Sequence, residues 1–358
     1  MRKNFRWGMS VVVFLILFLI FFTQTSILFR KKHTEADMVH SFYSLKENSV
    51  DVLSIGSSHA YYGYSPNEMW GCGGMTSYML GSPAQTVPMS YYLLKEALKY
   101  QSPKIVLMET YNFHYSDFYT SEANLRTAFD GVPLFENGKL NQNKVDLIQT
   151  ALAGESWQKK MTYYIPFSKY HSRWSKLSDR DYFPEKGYYL KGGRITFHTE
   201  SFGTPPEIEL KDGKLADLSL EYFQKIVDLC RKNNIQLVMY ATPVACEDEG
   251  KYTKLERMNE SLRKLLADMD IPFVNCQWVD DIQIDYATDF TDAGHMNYYG
   301  QKKTTEYLAE YLKTHYNLED HRADESYSDW EKDYEKYLQI VEKRENQKQK
   351  EEAEGAEE

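Results

Sequence analysis

A glycine and two serines directly follow an apolar run near residue 50. Residues 52–55 have the composition of a buried strand, and Gly56, Ser57 and Ser58 come next. A serine that opens a helix can serve as a nucleophile, because the unpaired backbone N–H groups of the first turn stabilise developing negative charge. Glycine permits the sharp turn that such a strand-to-helix junction needs. The alternative interpretation is that one of the two serines only caps a helix.

An aspartate and a histidine stand three residues apart near the carboxyl end of the chain. Asp292 and His295 precede a helix predicted to begin at Tyr298, in what we interpret as a loop. An aspartate that accepts the Nδ1–H of a histidine leaves Nε2 free to take a proton from a serine. In doubly wound sheets, sites form at the carboxyl ends of the strands. We therefore expect Ser58 to meet this pair at that edge of the sheet.

The elements that must position these residues alternate between apolar strands and amphipathic helices. Short runs rich in Val and Ile predict strands over residues 50–55, 76–80, 105–109, 236–241 and 272–274. Helical periodicity predicts helices over residues 90–100, 218–233, 255–270 and 298–314. This alternation is typical of α/β proteins, so we predict a three-layer α/β/α sandwich with a mostly parallel sheet.

Composition and charge exclude several classes of protein. The chain has 358 residues and a net charge of -10, with 52 acidic against 42 basic side chains, which argues against a nucleic-acid binder. An aromatic content of 15% argues against wholesale disorder. The four cysteines form no CxxC pair, and the histidines of the central region lack ligand spacing. We predict no metal site and no cofactor.

An uncharged segment near the N-terminus is long enough to cross a membrane. No charged residue occurs from Trp7 to Phe29. As a helix this segment spans about 34 Å at roughly 1.5 Å per residue, against about 30 Å for a bilayer core. The apolar stretch is longer than the roughly 7–15 residues usual in a signal peptide, and residues 23–26 continue directly into further apolar residues, so an uncleaved anchor is favoured over a cleaved signal peptide. We predict a single-pass protein of the cell membrane whose C-terminal domain is extracytoplasmic.

The chain divides into an anchor at residues 1–32, an α/β domain at 33–318 and a charged tail at 319–358. Within residues 113–215 the alternation of strands and helices fails and aromatic residues accumulate, which indicates an insertion over one end of the sheet. These aromatics form either a carbohydrate platform or the insertion's own small core. The tail holds 15 acidic and 7 basic residues, and we expect a solvated helix that ends in disorder.

With these motifs, the sequence resembles the SGNH (GDSL-like) hydrolase superfamily. Its membrane-anchored branch is the most similar, including the alginate O-acetyltransferases and the protein that assists D-alanylation of lipoteichoic acid. The resemblance covers roughly residues 48–112 and 218–315, and it implies a flavodoxin-like sandwich. It also implies that Ser58 is the nucleophile, His295 the general base and Asp292 the residue that orients this base.

The resemblance extends to the oxyanion hole with departures from the family pattern. The family's second block begins at Gly81, and its oxyanion glycine falls on Ala84, with Gly81 as the alternative backbone donor. The third block, Gly-x-Asn-Asp, is missing, and Asn112 is the nearest substitute for its asparagine. His59 follows the nucleophile and is expected either to line the pocket or to be packed or exposed elsewhere.

The activity implied by the resemblance is acyl transfer through an acyl-serine. The acyl group, an acetyl group in the most similar members, passes to water in an esterase or to a sugar hydroxyl in a transferase, and both remain open. The implied partners are a cell-surface polysaccharide or another envelope polymer, and a multi-spanning membrane acyltransferase. The missing block favours a different function, that of a catalytically inactive scaffold or polymer-binding protein with the same fold.

Overall fold

The computed structural model describes residues 2–30, 39, 41–182, 190–206, 213–246 and 248–355. The chain folds into two compact units. The first, here called the anchor unit, comprises Met1–His33 and Val132–Glu185. The second, here called the sheet unit, comprises Thr34–Gly131 and Lys186–Glu358.

The strands and helices alternate along much of the chain. The strands are β1 Val52–Gly56, β2 Ser77–Gly81, β3 Ile105–Glu109, β4 Phe135–Glu136, β5 Lys139–Leu140, β6 Gln236–Ala241, β7 Phe273–Asn275, β8 Phe290–Asp292 and β9 His295–Met296. The helices are α1 Arg2–Phe29, α2 Ser58–Gly63, α3 Pro66–Gly73, α4 Val87–Ala97, α5 Glu122–Phe129, α6 Gln142–Ala151, α7 Trp157–Tyr164, α8 Phe167–Tyr170, α9 Asp179–Tyr182, α10 Asp217–Lys232, α11 Glu249–Asp268, α12 Tyr298–His315 and α13 Ser328–Gly355.

The sheet unit is built on a five-stranded parallel sheet in the order β2-β1-β3-β6-β7. Every residue of β1, β2 and β3 is buried. Because successive side chains of a strand point to opposite faces, burial of every position means that both faces are covered. The predicted α/β class with a parallel sheet is confirmed. The order reverses between β1 and β3, which is where doubly wound sheets bind ligands.

Helices pack on each face of this sheet. On one face, strand residues such as Leu107 and Tyr240 pack with Ala60 of α2, Met69 of α3 and Leu308 of α12. Towards the other face, α4 contacts β1 and β2, α10 contacts β6, and the two helices pack against each other. The carboxyl ends of β1 and β3 are thus placed side by side between two helical layers.

Local capping explains where helix boundaries differ from the predicted ones. The helix predicted to begin at residue 255 begins at Glu249, because the Asp248 side chain accepts the N–H groups of Gly250 and Lys251 at 2.9 and 3.3 Å. The helix predicted to begin at residue 90 begins at Val87, where the Thr86 side chain accepts an N–H of the first turn.

The expected insertion at residues 113–215 is only partly a separate body. Residues 132–185 leave the sheet unit and group with the N-terminal helix. The described residues that follow, 190–206, belong to the sheet unit and are joined to it by backbone hydrogen bonds. The N–H of Met79 donates to the carbonyl of Lys191 at 2.9 Å, and that of Tyr298 donates to the carbonyl of Thr196 at 2.7 Å.

Most of the C-terminal tail forms the long helix α13, and one side of it packs against α3 within the sheet unit. Trp330, Tyr337 and Val341 are buried, although we expected a solvated helix. Trp330 stacks on Trp70 with ring centroids 6.1 Å apart, and Tyr337 donates to Glu68 Oε1 at 2.6 Å. The near-helical spacing of these aromatics places them on one stripe, which explains the docking.

The anchor unit combines α1 with the short helices α6 to α9. The segment Trp7–Ser26 of α1 is long and apolar enough to cross a membrane, and none of it is buried. Tyr163 is buried, whereas the aromatic side chains Trp157, Trp174 and Tyr182 are exposed. A small aromatic core therefore describes only part of this unit.

Candidate active site

Ser58 is the first residue of α2, directly after the carboxyl end of β1. Ser57 stands at the N-cap position, but its side chain makes no cap hydrogen bond and its Oγ is buried without a partner among the described residues. The capping interpretation therefore accounts for neither serine. Ser58 is partly exposed, as a nucleophile must be.

Gly56 is required by close packing. A Cβ at this position would lie 2.7 Å from the Cβ of Ala60 and 2.9 Å from that of Glu109. Its φ is not in the left-handed region, so the conformational freedom that we expected of this glycine is not what the junction uses. Gly81 pairs with Gly56 across the strands, and a Cβ there would lie 3.1 Å from the Gly56 carbonyl oxygen. Because these two glycines have no Cβ, neighbouring atoms can pack closely against the end of β1, just before Ser58.

Asp292 and His295 face each other across a small hairpin rather than lying in a loop. Asp292 ends β8, His295 begins β9, and the two residues pair in antiparallel register. Both carboxylate oxygens of Asp292 lie near His295 Nδ1, at 2.9 and 3.0 Å, and Oδ1 also accepts the N–H of Gly294 at 2.8 Å. Cross-strand pairing brings two residues three positions apart into direct contact.

The side chain of Asn297 connects this hairpin to α12 by hydrogen bonds. Its Oδ1 accepts the N–H of Tyr299 at 2.9 Å, so it caps α12. Its Nδ2 donates to the carbonyl of Thr288 at 2.7 Å and to Thr199 Oγ1 at 3.1 Å. The hairpin is therefore held in place from both sides by one side chain.

The serine and the histidine meet. His295 Nε2 lies 2.8 Å from Ser58 Oγ, and α2, which carries Ser58, packs against β9 and α12. With Asp292 accepting the Nδ1 proton, Nε2 is the acceptor that can take the hydroxyl proton of Ser58. The Asp292 side chain is 52% exposed and that of His295 is 24% exposed, so the end of this hydrogen-bonded chain opens to solvent. The arrangement has the geometry for general-base activation of the Ser58 hydroxyl group.

His59 forms the buried wall beside this pair. Its ring stacks on Tyr111 with centroids 3.5 Å apart and lies 4.9 Å from the ring of His295. Burial, followed by repulsion from the positive charges of His295 and His114, holds the pKa of His59 well below its usual value. His59 therefore stays neutral when His295 carries a proton. It lines the cleft and is also packed, so both sequence expectations hold in part.

The second block forms a buried polar network after β2. Ser82 donates to Gln85 Oε1 at 2.9 Å, and Gln85 Nε2 donates to Ser90 Oγ at 2.9 Å. Ala84, within this turn, has a φ of 45°, a left-handed conformation that favours glycine. Ala84 thus adopts the conformation of a glycine, while its part in an oxyanion hole stays a prediction.

Asn112 belongs to the same network. It is buried in the single turn Tyr111–His114 after β3, and its Nδ2 lies 3.5 Å from Ser90 Oγ. Its Oδ1 is buried without a hydrogen-bond partner in the described part of the chain. The hydrogen bonds of the described residues do not join Asn112 to Ser58.

Glu109, at the carboxyl end of β3, is a buried acid packed behind Gly56, and the sequence did not predict it. Its Oε1 accepts the N–H of Tyr111 at 2.9 Å, while its Oε2 is buried without a partner among the described residues. Burial raises the pKa of this carboxyl group to about 8, although backbone N–H donors lower it in part. A carboxyl group at a strand end is the only signal that the sequence holds for this residue.

We expect Glu109→Gln to flatten the pH dependence of stability. Because the folded pKa of Glu109 lies above its unfolded value, its contribution is fully present below about pH 4.5 and is lost as the pH rises to about 8. Gln keeps the acceptor for Tyr111 and does not titrate. Thermal unfolding of both proteins from pH 5 to 9 measures this, and equal slopes would contradict the buried acid.

A cleft of about 850 Å³ opens beside the histidine wall. It is lined by His59, Tyr111 and Asp292 and by residues of α11. Four basic side chains, for which the described residues show no ion-pair partner, contribute to its lining: Lys214, Lys251, Lys254 and Arg257. The volume lies in the usual range of ligand-binding clefts.

One cluster of the described residues has the composition of a metal site. The ligating atoms of Glu68, Cys72 and Glu306 lie within 4.8 Å of one another. Burial raises the pKa of the Cys72 thiol to about 11 and also raises that of Glu68, which opposes the deprotonation that metal binding requires. Glu68 already accepts a hydrogen bond from Tyr337. This donor set does not favour a metal ion.

The predicted site residues fall into two groups. Ser58, His295 and Asp292 form one hydrogen-bonded chain, with His59 as a neighbouring wall. The candidate oxyanion residues Gly81, Ala84 and Asn112 belong to the ends of β2 and β3 and the turns that follow them. No protein-family model matches this chain, and no curated protein is similar to it in sequence.

Proposed function

We propose that this protein is a membrane-anchored serine acyl-enzyme of the SGNH type that hydrolyses or transfers O-acyl groups on a cell-envelope polymer. The observation that carries the proposal is the hydrogen bond of 2.8 Å between Ser58 Oγ and His295 Nε2, with the second ring nitrogen held by Asp292. Nucleophile, base and orienting carboxylate in this arrangement are the requirements for acyl transfer.

The reaction follows from the positions of these groups. His295 Nε2 takes the hydroxyl proton while Ser58 Oγ bonds to the ester carbonyl carbon. The oxyanion so formed lies against the N–H of Ser58 and that of Ala84 or Gly81, and one such donor is worth about 10²–10³ in turnover. The C–O bond to the leaving alcohol breaks as His295 returns the proton, which leaves acyl-Ser58. Water or a sugar hydroxyl, deprotonated by His295, then releases the acyl group.

The fold is compatible with this assignment. A parallel sheet in the order β2-β1-β3-β6-β7 with helices packed against it supports a three-layer sandwich of the SGNH type. Ser58 follows β1 at the point where the strand order reverses, where such sheets bind ligands.

The cleft and the anchor indicate the substrate and the location. The four cations along the cleft, which have no ion-pair partner among the described residues, favour a polymer that carries anionic groups, bound by charge-assisted hydrogen bonds. The apolar helix α1 supports a single-pass membrane protein, and we propose that the sheet unit is extracytoplasmic. In this arrangement a multi-spanning membrane acyltransferase supplies the acyl group, which in our proposal is acetyl.

Covalent labelling tests the proposal. The full chain, purified in detergent, is treated with a fluorophosphonate, and the adduct is located by mass spectrometry. We expect a single adduct at Ser58 in the wild type and in Ser57→Ala, because an activated serine is the target of this reagent. An adduct at another residue would overturn the assignment of the nucleophile, and the absence of any adduct would favour the inactive scaffold.

A further inference from the structure

We propose that the anchor unit binds the anionic lipid surface of the membrane that α1 crosses. In this proposal α8, the turn His171–Lys176 and α9 lie among the lipid headgroups, with the side chains of Trp174 and Tyr182 inserted at the boundary with the hydrocarbon. The inference rests on the membrane anchor of the proposed function and is independent of the acyl chemistry.

The contacts of Phe167 set the depth of α8 relative to α1. Its ring lies 5.0 Å from that of Phe22 and 5.8 Å from that of Phe29, measured between centroids. Phe22 belongs to the apolar segment Trp7–Ser26, and Phe29 lies just beyond it. Seven residues of helix rise by about 10 Å, so α8 lies against the end of the apolar segment. If α1 crosses the bilayer, α8 is held at the edge of the hydrocarbon.

Arg173 holds the residues that follow α8 at the same depth as the end of α1. Its guanidinium group donates to the carbonyl of Phe29 at 2.7 Å and to Asp181 at 2.8 Å. Trp174 and Tyr182 are the direct neighbours of Arg173 and Asp181 in the sequence. They are therefore near the end of α1, at the depth where Trp and Tyr are enriched in membrane proteins.

Exposure and charge both match a lipid interface. The side chains of Trp174 and Tyr182 are 70% and 55% exposed, so their amphipathic rings are accessible to a headgroup region, where such rings are enriched. The anchor unit holds 14 basic and 6 acidic residues, a net charge of +8. Three of the basic residues precede the apolar segment and lie on the opposite side of a bilayer that α1 crosses, so the side that carries α8 has 11 basic and 6 acidic residues, a net charge of +5. The whole chain carries -10, so the sheet unit carries -18. A cationic unit with exposed aromatics beside an apolar helix is attracted by anionic headgroups.

Fluorescence quenching by brominated lipids tests the inference on the full chain. The chain is reconstituted in nanodiscs of phosphatidylcholine and phosphatidylglycerol, with and without bromine on the upper acyl positions. Trp7→Phe serves as the background, since Trp7 itself lies in α1. We expect Trp7→Phe to retain quenching that depends on bromine, and the further substitution Trp174→Phe to reduce it at least twofold.

Trp278→Phe in the same background is the matched control. Trp278 is 51% exposed and belongs to the sheet unit, so its removal is expected not to reduce the quenching. Equal quenching with and without Trp174 in a chain that resists carbonate extraction would overturn the lipid surface and leave the anchor intact. That outcome would assign the exposed aromatics to a protein partner. Release of the chain by carbonate would overturn the anchor and the lipid surface together, while labelling of Ser58 would be unaffected.

Discussion

Turnover of p-nitrophenyl acetate is expected to fall by about 10⁴–10⁶-fold in Ser58→Ala, a range set by nucleophile removal in serine hydrolases. The substitution removes Ser58 Oγ, which lies 2.8 Å from His295 Nε2. Ser58 is partly exposed, so folding should be little affected. Initial rates with the full chain in detergent, corrected for the rate in buffer, measure the effect.

Ser57→Ala is the matched control for this result. The Ser57 Oγ is buried without a partner among the described residues, so alanine removes an unsatisfied polar atom and keeps the backbone N–H. We expect activity within about twofold of wild type and equal or higher stability. Equal turnover in wild type and Ser58→Ala would support the inactive scaffold, and loss of activity only in Ser57→Ala would move the nucleophile by one residue.

Asp292→Asn is expected to lower kcat by about 10²–10⁴-fold with little change in KM. The carboxylate accepts the proton-bearing Nδ1 of His295 through either oxygen, at 2.9 and 3.0 Å. An asparagine amide that presents its NH₂ to Nδ1 favours the tautomer with the proton on Nε2, which cannot take the Ser58 proton. Steady-state kinetics with the same ester measure both constants.

Asp248→Asn controls for the loss of a negative charge from the cleft. Asp248 also lines the cleft, and its side chain caps α11, a task that asparagine performs equally well. We expect kcat to remain within about threefold of wild type, because the Asp248 side chain accepts from the first turn of α11 and not from His295. Similar losses in both variants would show that Asp292 acts through the charge of the cleft and not through His295.

The sheet was predictable because its strands are mostly apolar. A parallel sheet buried on both faces needs continuous apolar runs, and residues 105–109 and 236–241 match the observed strands. The hairpin of β8 and β9 escaped prediction because its strands have only three and two residues. The docking of α13 depends on Trp70 and Glu68, which are distant in the sequence.

The site was predictable where a local motif carries the chemistry. Gly56 with Ser58, and Asp292 with His295, are short patterns that together predicted a contact between Ser58 and His295, and these side chains lie 2.8 Å apart; the roles of nucleophile and base stay predictions. Glu109 and Tyr111 were not identified, because no local pattern distinguishes them. Their places beside the candidate site arise from Tyr111 stacking on His59 and from the packing of Glu109 behind Gly56.

The order of residue types along the chain determined the apolar helix, the parallel strands and the pairing of an aspartate with a histidine three residues away. Only the tertiary structure decided that Ser58 and His295 lie 2.8 Å apart, that Glu109 has a pKa of about 8 and that α8 packs on the end of α1. Periodicity and short motifs are local properties, which the sequence carries directly. Hydrogen-bond distances between remote residues and the exclusion of water from a carboxyl group depend on how all the elements pack together.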